Sequence, residues 1–136
     1  EAKLNSAKNI VWHGRLPQDE LAKLFLRSQL LLYPTDFTEV SCITAMEAMA
    51  GGCIPVTSGV GALSETIGDG GLIVTGNVYT PAWREFYTHC VKAMLHSPDL
   101  RNSYRTLALE RSKEFSWDKS YQQWRKVLKL SVEVSK

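Results

Sequence analysis

At 136 residues, with 44% hydrophobic and 22% charged side chains, the chain has the length of one domain and can bury a core unaided. Sixteen basic against fourteen acidic residues leave a net charge of +2, too small for a nucleic-acid footprint. No apolar run approaches the roughly 18 residues of a membrane-spanning helix, and no basic start leads into an apolar core as in a signal peptide.

In chain order, Asn9-Ile10-Val11-Trp12-His13-Gly14 predicts a short strand stopped by glycine. Pro17 suits a first helical residue, with Gln18, Asp19 and Glu20 in the first turn and Leu21, Leu24, Phe25 and Ser28 on the buried stripe. Leu30-Leu31-Leu32-Tyr33 reads as a strand covered on both faces, ended by Pro34. A helix is expected from about Ser41 to Ala50, closed by Gly51-Gly52. Ile54-Pro55-Val56-Thr57 reads as a third strand despite a proline that lacks an amide donor. A Gly59-Val60-Gly61 loop, a short helix over 62–67 and a strand at Leu72-Ile73-Val74 follow.

The last third reads as helical. Trp83, Phe86, Cys90, Val91, Met94 and Leu95 mark one stripe. Ser97-Pro98-Asp99 opens a second helix with Leu100, Tyr104 and Leu107 inward. Ser116-Trp117-Asp118 opens a third, with Trp117, Tyr121, Trp124 and Leu128 at helical spacing. Strands alternating with helices predict an α/β, Rossmann-like parallel sheet with flanking helices, followed by C-terminal helices.

Cys42, Cys53 and Cys90 are odd in number and lack metal-site spacing, so a reduced, cytoplasmic protein is the expectation. His89, Cys90 and His96 fall within a helical pattern, and no metal is expected there. A first residue of Glu1 instead of Met suggests a processed chain or an excised fragment.

Residues 35–52, TDFTEVSCITAMEAMAGG, carry the chemistry. Glu39 sits in a polar approach segment and Glu47 inside an apolar run, where a carboxylate is costly unless something bonds to it. The segment from Pro34 to Ser41 would lie beyond the carboxyl end of a strand, where open α/β sheets bind ligands. The following helix offers free amides and a positive dipole end at Cys42, Ile43 and Thr44, which attract phosphate. Glu47, roughly 7 Å further along the axis, leans back toward that end and suits the neighbouring hydroxyls of a ribose. Glu39 would face a hydroxylated group on the other side of the phosphates. Taken singly, each glutamate is more simply a solvent-facing residue. Paired, they also match a glycosidase acid and nucleophile, though nothing else here builds a sugar-binding groove.

Their company narrows the choice. Leu30-Leu31-Leu32-Tyr33-Pro34-Thr35, then Glu39-x7-Glu47, Ala48-Met49-Ala50-Gly51-Gly52, Ile54-Pro55-Val56-Thr57-Ser58 and Glu65-Thr66-Ile67-x-Asp69-Gly70 form an ordered string. It resembles the C-terminal, donor-binding domain of retaining glycosyltransferases of the two-domain GT-B fold, the group 1 (glycogen-synthase-like) family. The resemblance is dense from about residue 9 to 75 and looser to Phe115-Ser116-Trp117. It implies a nucleotide-sugar donor, UDP- or GDP-linked, with no metal or other cofactor, and a carbohydrate or lipid-linked acceptor. Glu47 would bind the ribose. Glu39 would bind the transferred sugar beside its anomeric carbon as the catalytic residue, and Val40, Ser41, Cys42 and Ile43 would hold the donor sugar and diphosphate. The loop at Arg15-Leu16 would lie along the base.

Ser41-Cys42 stands where family members commonly have Phe-Gly, and glycine eases close backbone approach. The family's domain also begins with two further strands, which carry its diphosphate-binding Arg and Lys. In the order 3-2-1-4-5-6 those strands belong between the segment at 9–13 and the strand at 30–33. The resemblance therefore implies a single donor-binding domain with a sheet incomplete at its start, a C-terminal fragment of a two-domain enzyme. Two alternatives stand beside it: a non-catalytic nucleotide- or partner-binding module of the same fold, and an unrelated doubly wound domain. For the terminal helix, packing against the body of the enzyme is the simpler expectation. A peripheral membrane contact through its aromatic and basic residues is the other.

Overall fold

The computed structural model describes residues 8–128. Ten-residue helix α1 (Gln18–Arg27) leads into β1 (Leu30–Tyr33), then α2 (Ile43–Ala50), β2 (Ile54–Ser58) and α3 (Leu63–Ile67). A 3-10 turn (Gly68–Gly70) leads into β3 (Leu72–Val74). The C-terminal part comprises α4 (Pro81–His96), α5 (Pro98–Ser112), a 3-10 turn (Lys113–Phe115) and α6 (Trp117–Val127). The strands form one parallel sheet in the order β1-β2-β3, with Leu30 opposite Ile54 and Val56 opposite Leu72. This is the α/β sheet with C-terminal helices that the alternation of patterns predicts. None of the described helices is long and apolar enough to cross a membrane.

The two faces of the sheet alternate residue by residue, as the pleat requires. Leu31, Tyr33 and Ile73 pack with Cys42, Ala45, Leu63 and Ile67 from the α2–α3 side. Leu30, Leu72, Val56 and Val74 pack with Trp83 and Tyr87 of α4. Those two rings stack 4.9 Å apart and point their polar ends at strand carbonyls: Trp83 Nε1 donates to Val74 O at 3.1 Å and Tyr87 Oη to Val56 O at 2.8 Å. Burial pushes the Tyr87 phenol up to about 12, so this donor persists well above neutral pH.

Pro55 lies in the central strand without disturbing its ladder. Ile54 N donates to Gln29 O at 2.9 Å, toward β1, so the alternating pattern turns position 55 toward β3. There pairing begins only at Val56. The missing amide of Pro55 therefore falls where no strand faces it.

Three expectations need correction. The segment at 9–13 is not a strand: among the described residues it has no ladder partner, and Ile10, Val11 and Trp12 are 48%, 74% and 62% exposed. An isolated strand has nothing to satisfy its backbone, so periodicity alone does not make one. The strand β1 is not covered on both faces: Leu32 is half exposed. On α4 the buried stripe runs through Trp83, Tyr87 and Met94, while Phe86 and Leu95 face outward, and on α5 Ala108 is buried while Leu100 and Leu107 are exposed. The aromatic face of α6 is open, with Trp117 91% exposed and Tyr121 and Trp124 also exposed, because α6 meets the rest of the chain mainly through the 3-10 turn before it.

The contrast between core and edge is measurable. Leu63→Ala, at a site with no exposure, should lose about 2–5 kcal/mol in chemical denaturation. Leu32→Thr should stay within about 0.5 kcal/mol, as at other surface positions. A larger loss at Leu32 would mean that its face of the sheet is covered in solution.

Candidate functional site

Helix α2 starts at the carboxyl end of β1 and has no side-chain cap: Cys42 occupies the N-cap position with φ −96° and makes no capping bond. No acidic residue lies in its first turn. The amides at its start therefore face outward with no side chain of their own helix competing for them, which suits an anion. The Cys42 carbonyl accepts from Ala45 N and Met46 N, which fixes the turn. Its thiol is 4% exposed and packs inward with Ala45, Leu63 and Ile67. Cysteine thus replaces glycine with a side chain turned into the core, and its φ is one that any residue adopts. Burial raises the thiol's pKa, so it stays uncharged at neutral pH and no thiolate competes with an anion for the amides.

Glu39 is held from two directions. Tyr33, the last residue of β1, donates its hydroxyl to Glu39 Oε1 at 2.6 Å, and this bond is the main cause that raises the Tyr33 pKa. The backbone of Glu39 is gripped by the loop after β2, where Ala62 N donates to Glu39 O at 2.7 Å. Gly61 makes that approach possible. At φ +60°, a Cβ there would sit 2.5 Å from Glu39 O and 2.6 Å from Glu39 N. The earlier part of the segment is tied down by Ser58 Oγ, which donates to Thr35 O at 2.5 Å, and by Tyr79, whose hydroxyl donates to the Asp36 carboxylate.

Glu47 answers its own puzzle differently. Its neighbours Ala45, Ala48 and Met49 are fully buried, but Glu47 is on the half-buried side of α2 and accepts from Gln18 Nε2 at 2.5 Å. The two residues meet because α1 packs closely on the end of α2: a Cβ on Gly51 would lie 3.0 Å from Phe25 Cβ. Phe25, Ala48 and Cys53 form the apolar cluster beneath. Glu47 and Gln18 line a cavity of about 320 Å³ whose other walls are Ala22, Phe25, Leu26, Ala50 and Gly51. On its other side Glu47 borders a second space of about 500 Å³, between α2 and the stretch that carries Phe115, Trp117 and Ser120.

The fold thus brings the first residue of α1 to Glu47 and sets Glu39 near Cys42 at the start of α2. Arg15 is exposed in the loop before α1, next to half-buried Leu16, just after a turn at Gly14 with φ +63°. Val40 and Ile43 are 90% and 65% exposed on the rim, and Ser41 is exposed between Val40 and Cys42. Neither of the two cavities that Glu47 borders reaches Glu39. Among the described residues no basic side chain bonds to either carboxylate. His89, Cys90 and His96 all fall on α4, and the described residues contain no group of three His, Cys, Asp or Glu able to hold a metal. Sequence reasoning missed Tyr33 and Gly61 as parts of the site, and the contact of Gln18 with Glu47. Gln18 and Glu47 are 29 residues apart, and no local pattern links them.

The profile of the family glycosyl transferases group 1 matches residues 2–111, most of the chain. The chain belongs to this family. Its group 1 domain is the C-terminal, donor-binding domain of GT-B enzymes, and membership implies transferase activity on a sugar donor and an acceptor. No curated protein matches the chain. Helix α6 lies beyond the matched residues.

Two measurements check the Glu39 geometry. Carbon NMR titration should find the Tyr33 phenol ionising above the ordinary tyrosine range, and Glu39→Gln should bring it back down, because its largest cause is then weakened. A raised tyrosine pKa means that the bond contributes stability below pH ~10 and loses it as pH rises through the folded value. Gly61→Ala should disturb the Glu39 resonances and cost about 1–3 kcal/mol, from an unfavourable φ and overlap with backbone.

Proposed function

We propose that this chain binds a nucleotide-sugar and serves as the donor half of a glycosyl transfer that retains anomeric configuration. Glu47 takes the ribose hydroxyls, the backbone over Val40, Ser41, Cys42 and Ile43 takes the diphosphate, Glu39 takes the transferred sugar, and Arg15-Leu16 lies along the base. The observation that carries the reading is the pairing of two held carboxylates with an uncapped helix start between them in the chain. A donor of this kind has hydroxyls on both sides of a diphosphate, and these groups complement it in that order.

In the transfer, the bond between the anomeric carbon and the diphosphate oxygen breaks and its electron pair leaves with the diphosphate. The acceptor hydroxyl bonds to the same face of that carbon, and its proton passes to the leaving phosphate. Amides at the start of α2 stabilise the charge on the leaving group, and the Glu39 carboxylate, oriented by Tyr33, stabilises the positive charge at the anomeric carbon. Glu39 acts as a positioning and charge-stabilising group and not as a covalent nucleophile. The acceptor, a carbohydrate or a lipid-linked sugar, would be presented by an N-terminal domain, as in two-domain members of the family. The open edge of β1, with Leu32 half exposed, supports the view that further strands complete this sheet in the whole enzyme.

One observation favours a second reading. With no basic side chain bonded at either carboxylate among the described residues, the site has little positive charge of its own, as a binding module without transfer activity would.

Calorimetric titration with UDP, GDP and ADP separates the roles. Glu47→Ala should weaken the best nucleoside diphosphate about 10–100-fold, the worth of a hydrogen bond to a charged group. Glu39→Ala should bind that diphosphate normally, yet with the acceptor half supplied it should lose about 10²–10³ in transfer rate. Equal binding by wild type and Glu47→Ala would remove the ribose assignment. Normal nucleotide binding with no donor turnover in the two-domain protein would favour the module.

A further inference from the structure

We propose that Gln18 is a positioning residue that sets the ribose specificity of this site by holding one oxygen of Glu47 and turning the carboxylate toward the sugar. The inference rests on the reading of Glu47 as the ribose ligand and adds a residue to it.

Gln18 Nε2 donates to Glu47 Oε1 at 2.5 Å, and among the described residues it is the one donor on that carboxylate. The backbone that presents it is well fixed. Gln18 is the first residue of α1, preceded by Pro17 at φ −59°, and Leu21 N closes the first turn on Pro17 O at 3.0 Å. The close approach of Gly51 to Phe25 then fixes α1 against α2. Gln18 and Glu47 supply the charged and amide groups of a cavity whose other walls are Ala22, Phe25, Leu26, Ala50 and Gly51. In that setting a freely rotating glutamate has little else to orient it.

The chemistry of the donor matters as much as its position. A lysine or arginine at this place would neutralise the carboxylate and compete with a ligand for it. A primary amide orients the carboxylate with a single neutral N–H and leaves the other oxygen, together with the second lone pair of the first, free to accept from hydroxyls. Glu47 is then a prearranged acceptor for adjacent hydroxyls, and less side-chain freedom is lost when the ligand arrives. The consequence is specific: the preference for ribose over deoxyribose depends on Gln18, while affinity for the diphosphate does not.

The test compares UDP, GDP and ADP with their 2′-deoxy and 3′-deoxy forms by calorimetry, in wild type, Gln18→Ala, Gln18→Met, Glu47→Ala and Gln18→Met/Glu47→Ala. Methionine keeps the length of the side chain and removes the donor. Gln18 is exposed, so thermal midpoints should stay near wild type and serve as the control for folding. We expect both Gln18 variants to lose roughly three- to tenfold in affinity for the ribose form, and the deoxy forms, which each keep one hydroxyl, to lose less. Adding Gln18→Met to Glu47→Ala should change nothing more. An equal loss for ribose and deoxyribose forms, tighter ribose binding, or no change in either Gln18 variant would overturn the proposal while a loss in Glu47→Ala still upheld the ribose site. Unchanged binding in Glu47→Ala would overturn both.

Discussion

Close packing of α2 against the sheet and α1 is the constraint on which the site depends. Ala45, Ala48 and Met49 are fully buried, and the small side chains among them let the helix lie close to the strands beneath. Gly51 admits the backbone of α1 at its far end. Gly61 admits the backbone of Glu39 near its start. Both approaches fail if a Cβ is added without movement, so the two carboxylates owe their positions to two glycines. Burying residues of this size contributes on the order of 1–3 kcal/mol each, and the site needs no ion pair to hold its shape.

The C-terminal helices reinforce this arrangement from below. Arg111 of α5 donates from Nε to Thr66 O at 3.1 Å and from a terminal nitrogen to Glu65 O, which satisfies carbonyls at the end of α3. Its side chain lies across the Gly68–Gly70 turn, where a Cβ on Gly70 would approach Arg111 Cβ to 2.9 Å and Met49 Sδ to 2.8 Å. One arginine therefore links α5, the turn before β3 and the buried side of α2. The ion pairs of the described residues, by contrast, lie on exposed helix surfaces and contribute little. Packing and helix ends, not charge pairs, position the functional groups.

The parallel sheet and its helices were legible in the sequence because their signals are local. Gly51-Gly52 after an apolar run and Asp69-Gly70-Gly71 before Leu72 punctuate the chain where the elements change. Even Pro55 proved compatible with a central strand, since its missing donor faces the one stretch without a neighbour. Pattern reading failed where structure depends on what lies alongside. Ile10, Val11 and Trp12 have strand character but no strand to pair with, and the outward turn of Phe86 and Leu107 reflects how α4 and α5 are rotated against their neighbours. The two carboxylates could be singled out from their spacing and their company, but their partners could not. Tyr33 read only as the end of a strand, and nothing local linked Gln18 to Glu47, because tertiary packing alone brings each to its glutamate.

The central claim is that a nucleoside diphosphate binds across the start of α2 and reaches Glu47. Amide and side-chain NMR shifts on titration with UDP, GDP and ADP test it most directly. The account predicts saturable shifts at Val40 to Thr44 and in the Gln18 side-chain amide, with the Gln18 response lost in Glu47→Ala. Shifts confined to another surface, such as the cavity lined by Tyr79, Arg84 and Thr88, or no saturable shift with any of the three, would contradict it.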